Sequence, residues 1–127
     1  MRIRTLFLLF FIGLIAEPVF AAGPSVTLSW TASISSTTTT PGTSNVYRET
    51  GTCPTTQPTS TVGFSQIATN ITPSGPYTDT TVSTGTTYCY VVTAVIGGLE
   101  SNPSNTFQAV IPGLPSPPTG LKGTITP

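Results

Sequence analysis

Histidine is absent, charge is scarce, and no apolar run is long enough to span a bilayer; each gap removes a class of function. Without an imidazole, a serine or cysteine nucleophile would have only Lys122 or a carboxylate as its base, a poor set for hydrolysis. Sugar hydrolysis needs two facing carboxylates, but Glu49, Asp79 and Glu100 stand in separate stretches with structural or loop roles. Two cysteines cannot complete a zinc shell on their own, the carboxylates lack calcium-loop spacing, and no glycine-rich phosphate cradle occurs. The reading is therefore of a chain with no catalytic residues, no metal site and no cofactor. Charged residues make up 6% of the sequence and the formal net charge is zero. No basic field exists to hold nucleic acid or an anionic membrane.

The first 21 residues read as a secretory signal. Arg2 and Arg4 form a basic start, an apolar run follows from Leu6 to Ala16, and Val19-Phe20-Ala21 offers a small-residue cleavage site. The competing reading is a membrane anchor, but the run falls short of the roughly 20 residues a spanning helix needs. With the signal removed, the expectation is a chain without membrane attachment that is secreted, extracellular or held at the cell envelope.

Beyond residue 21 the sequence is rich in valine, isoleucine, tyrosine and threonine, grouped in short runs punctuated by proline and glycine. Those residues suit strands, and no helical apolar period persists over three turns. From Ser25 to Thr31 the side chains alternate, with Val26, Leu28 and Trp30 on one face. Residues 32–43 are mostly serine and threonine and end at Pro41-Gly42, which reads as a solvated loop or a glycan-bearing stretch. Further strands are expected over 45–49, 64–68, 77–80, 86–96 and 105–111, with Gly97-Gly98 starting a hairpin and 50–62 a long connection. Over 86–96, Tyr88, Tyr90, Val92 and Ala94 alternate against Cys89, Val91, Thr93 and Val95, the pattern of a central strand. Asn70-Ile71-Thr72 matches a glycosylation sequon, a match short enough to arise by chance.

In order, Val26-x-Leu28-x-Trp30, Asn45-Val46-Tyr47-Arg48, Tyr77-Thr78-Asp79-Thr80, the run from Gly85 to Val95, and Glu100-Ser101-x-Pro103-Ser104-Asn105 resemble bacterial fibronectin type III domains over about residues 25–112. The resemblance implies an all-β, immunoglobulin-like sandwich of two antiparallel sheets, strands A, B and E against C, C′, F and G. It implies that Trp30 is the core tryptophan of strand B, and that Tyr88 is the tyrosine corner entering strand F. Trp30, Val46, Tyr88, Tyr90 and Val92 should then meet between the layers. Cys89 sits one residue after Tyr88, so it faces away from that interior. In the implied fold Cys53 and Cys89 are neighbours, and a disulfide between them is expected in an oxidising compartment.

The domain organisation expected is a signal peptide over 1–21, the sandwich over 22–112 and a proline-rich tail over 113–127. Strand A is missing from its place before Val26, yet the tail resembles a linker plus a strand A, with Thr119, Leu121, Gly123 and Ile125 on one face. Such a tail is disordered, the start of a truncated further domain, or a strand donated head-to-tail to the next molecule. Candidate binding residues are Tyr47, Val91 and Thr93 on the outer face and Leu99 and Glu100 in the F–G loop, unless the 50–62 connection covers that face. The functional expectation is a secreted, non-catalytic module for binding, adhesion or spacing whose partner is an unknown protein or polysaccharide. The alternative is a fibre subunit whose partner is itself.

Overall fold

The computed structural model describes residues 22–127; the signal-peptide reading falls on 1–21, outside the described residues. Among the described residues there are seven strands and no helix. The longest is β5, Thr87–Ile96, where β-branched and aromatic residues stand at nearly every position. Antiparallel to it runs β2, Thr43–Thr50, in continuous register from Thr43 opposite Val95 to Thr50 opposite Tyr88. On the far side of β2 lies β3, Ser65–Ile71.

The other edge of β5 is served by a strand in two pieces. Gly97 and Gly98 both take positive φ, the geometry of a two-residue hairpin turn, and return the chain as β6, Leu99–Glu100. The ladder resumes only at β7, Phe107–Val110, rather than as the single strand expected over 105–111. Pro103, which has no N–H to give a ladder, is buried in the gap. Ser101 and Ser104 still donate their backbone N–H groups to the Ala94 and Val92 carbonyls, both at 2.8 Å, so the segment stays against β5.

The second sheet has only two strands: β1, Val26–Leu28, pairs antiparallel with β4, Tyr77–Asp79. The strand expected over 25–31 is thus shorter than its alternation suggests, and Trp30 lies beyond its end. β3 begins at Ser65 and continues past Ala68 to Ile71. Asn70 takes a left-handed φ of 55°, and the β2–β3 register shifts between Ser44 and Val46.

Between the two sheets, Val26, Leu28, Val46, Val82, Tyr88, Tyr90, Ala109 and Ile111 form one buried cluster, with Trp30 and Val92 packed against it half-buried. The five residues expected to converge do so. Cys89 is also buried but lies outside that cluster, on the opposite face of β5 as its parity requires. The Tyr88 hydroxyl accepts the Ser83 N–H at 3.1 Å, tying the start of β5 to the preceding connection as a tyrosine corner does. The Trp30 indole N–H points at the Pro73 carbonyl, 2.7 Å away. Its ring lies against Gly75, where a Cβ would sit 3.1 Å from ring carbons and the backbone has a φ of +70°.

Candidate functional site

Two of the three carboxylates of the domain are engaged by their own framework. Arg48 shares the inward parity of Val46, and its guanidinium reaches across the layers to Asp79 at 2.6 Å while lying 4.7 Å over the Tyr88 ring. The Asp79 side chain is fully buried. One oxygen accepts from Arg48 and the Tyr90 hydroxyl, the other from the N–H and hydroxyl of Thr81. Burial alone would raise the Asp79 carboxyl, but the bonds from Thr81, Tyr90 and Arg48 together hold it below its ordinary value. Burial and the bond to Asp79 push the Tyr90 hydroxyl far up. Glu100 stands at the surface, yet Asn45, Tyr47 and Thr93 all donate to one of its oxygens. The bonds from Thr93 and Tyr47 lower its carboxyl despite some burial, and burial with the Glu100 contact raises the Tyr47 hydroxyl.

Over β2 and β5 the outer face of the large sheet is closed, the alternative that the sequence left open, so Tyr47, Val91 and Thr93 form no free binding surface. Tyr47, Val91 and Thr93 face outward as parity requires, but all three are buried, Val91 to 1% exposure. Three ties hold the 51–62 connection across this face. Cys53 is joined to Cys89 by the expected disulfide, with the Cα atoms 5.0 Å apart. The Cys53 N–H donates to the Gln108 side chain at 3.0 Å, and the Gln57 amide donates to the Pro103 carbonyl at 3.4 Å. Of the five candidate binding residues, only Leu99, 79% exposed at the hairpin tip, presents its side chain freely, while Glu100 presents a carboxylate oxygen beside its three donors. The signal for closure was a disulfide that necessarily draws the long connection over the strand it joins.

The opposite situation holds beside β1. Among the described residues no strand pairs its outer edge. Along that edge runs a groove of about 260 Å³ bordered by Thr27, Leu28, Trp30, Tyr90, Asn105 and Phe107. A second hollow, of about 160 Å³, lies on the other flank of Trp30 toward Ala94 and Ser101. Phe107 shares the inward parity of Ala109 in β7, but where Ala109 is buried Phe107 is 52% exposed. An aromatic side chain aimed at the interlayer space is thus left half in water. Sequence reasoning missed Phe107; its shared parity with Ala109 and Ile111, set against the expectation that strand A is missing before Val26, was the available signal. Thr119, Leu121, Gly123 and Ile125 lie in an exposed tail that belongs to no strand among the described residues.

No protein-family model matches the sequence, and no curated protein matches it either. A solved structure does: the crystal structure of a Fn3-like protein from Clostridium thermocellum is similar to this chain at 34% sequence identity, with a TM-score of 0.54 over 76% of this chain and 86% of that one. Shared identity at that level over most of both chains, on a two-sheet sandwich with a tyrosine corner and an interlayer tryptophan, places the sequence: the chain belongs to the fibronectin type III-like family.

Proposed function

We propose that the chain is a secreted, non-catalytic module that binds or spaces at the cell surface or outside the cell. The observation that carries this reading is the Fn3-like sandwich whose buried carboxylate, Asp79, is saturated by four hydrogen bonds of the scaffold itself. A carboxylate so held, and kept ionised, stabilises the fold and has no lone pair free for a substrate proton. The disulfide supports an oxidising compartment. Among the described residues no helix is long and apolar enough to cross a membrane. The surface is nearly uncharged and rich in hydroxyls, suited to a protein or polysaccharide partner met outside the cell and poorly suited to nucleic acid. Leu99 at the hairpin tip is one exposed apolar contact such a partner would meet.

Intact-mass analysis of the native protein tests this. The expected product begins at Ala22 and carries no free thiol. Recovery of the full-length chain from the cytoplasm with Cys53 and Cys89 reduced would overturn the reading.

A further inference from the structure

We infer that the groove beside β1 is an acceptor site for the tail of a second copy of this chain, residues 119–125 entering as the missing edge strand. The inference rests on the sandwich architecture and on the proposed export, which leaves the chain beginning at Ala22.

The groove has the form of a strand site. The outer edge of β1 carries backbone N–H and C=O groups with no neighbouring strand among the described residues, and such an edge pairs readily with an extended segment. Behind that edge, Leu28, Trp30, Tyr90 and the half-exposed Phe107 form an apolar floor. A strand laid along β1 would point alternate side chains onto this floor and the others to solvent. None of the residues bordering the groove is charged.

The tail matches that demand. Laid out as a strand, it places Thr119, Leu121, Gly123 and Ile125 on one face and its single charged side chain, Lys122, on the other. Leu121 is 100% exposed and Ile125 95% exposed, so in the isolated chain the apolar face of the tail covers nothing. Donor and acceptor each expose apolar surface that the other would bury, and both are neutral where they would meet.

The direction of the chain selects a second copy. The Gly85 N–H bonds the Ile111 and Pro112 carbonyls at 3.0 and 3.2 Å, which fixes the exit of the tail at the end of the sandwich where the β4–β5 connection lies. Val26, the first residue of β1, pairs with Asp79, the last of β4, so β1 begins toward this same end. A strand antiparallel to β1 must enter from the other end. To do so in its own molecule the tail would first run back along the whole sandwich, and the six residues of 113–118 reach only about 20 Å when extended. The tail of a neighbour stacked end to end enters in the required direction. Pairing of this kind repeats head-to-tail and does not close, so it grows as a chain of subunits.

The test uses two variants of the mature protein. Leu121→Asp combined with Ile125→Asp spoils the donor, and Phe107→Glu spoils the acceptor. The unaltered protein should show a weight-average mass that rises with concentration to at least about twice the monomer, as any head-to-tail association requires. Each variant alone should stay monomeric, and an equimolar mixture should form a dimer with one intact donor and one intact acceptor. A synthetic peptide of residues 115–127 should shift Trp30 emission when added to a chain lacking those residues, which gives a readout even if Phe107→Glu fails to fold. The inference is overturned if the unaltered protein is monomeric at every concentration, if the mixed variants do not pair, or if the peptide leaves Trp30 unchanged. It is overturned equally if the tail substitutions alter Trp30 emission in a monomer, since the tail would then lie in its own groove.

Discussion

The outer face of the large sheet and the groove beside β1 are both places where a small sandwich must cover apolar side chains, and among the described residues only the first is covered. Over Cys89 the chain places its own 51–62 connection and fastens it with a covalent bond, and on the same face Val91 and Thr93 are buried, Thr93 bonded to Glu100. Among the described residues no strand crosses Phe107, and the aromatic ring is left half exposed near the unpaired edge of β1. Parity assigns a side chain to a face; whether that face is dry depends on what crosses it. A closed face serves the scaffold, and an open one is where a partner gains most by binding.

The contrast can be broken most forcefully by cutting the fastening. Replacing Cys53 and Cys89 by serine releases a loop closed over 36 residues and should cost about 4 kcal/mol in chemical denaturation, in the chain-entropy account of cross-links. A loss below about 1 kcal/mol would mean that the connection covers the face without its bond. Next in size, Asp79→Ala leaves the Arg48 guanidinium between the layers without its partner and should cost about 3 kcal/mol, against little change for an exposed charge such as Lys122→Ala.

The same carboxylate sets an acid limit. Its folded-state value is depressed, so the stabilisation it gives is full above the unfolded value of about 4 and fades as pH falls through the lower folded value. Thermal scans should therefore show a stable plateau at neutral pH and a decline below about pH 4, with a shallower decline in Asp79→Asn. An equally steep decline in that variant would remove Asp79 as the cause.

A direct pair sharpens the comparison further. Val91→Ala opens a cavity in the closed face and should cost about 2 kcal/mol, whereas Phe107→Ala, though it deletes a larger side chain, should cost under about 1 kcal/mol in a dilute, unassociated chain. Equal losses would mean that the groove is covered after all. The smallest effect belongs to the tail: Leu121→Asp should leave the melting temperature of the monomer unchanged within error, because that side chain touches nothing there.

Much of this was legible in the sequence, and the reasons differ by element. Alternation over 86–96 gave the central strand, and the one-residue offset between Tyr88 and Cys89 placed the disulfide on the outer side, because side-chain direction in a strand has a period of two. The Arg48–Asp79 bridge was legible in principle: Arg48 shares the parity of the inward Val46, and a charge pointing inward needs a partner. The burial of Tyr47, Val91 and Thr93 was not legible from alternation, since it depends on what crosses the face: Glu100, which accepts from Tyr47 and Thr93, and a 51–62 connection without periodic pattern that is tied to Cys89, Gln108 and Pro103. Nor was the break between β6 and β7, where Pro103 interrupts the ladder while serine N–H groups keep the segment in place.

Thiol labelling measures the closed face against the open groove most directly. Val91→Cys and Phe107→Cys, each made in a chain lacking residues 115–127 so that no donated strand can mask the groove, would be exposed to a small thiol reagent under native conditions. The account predicts fast labelling at position 107 and none at position 91 until the protein unfolds. Equal rates, or the reverse order, would contradict it.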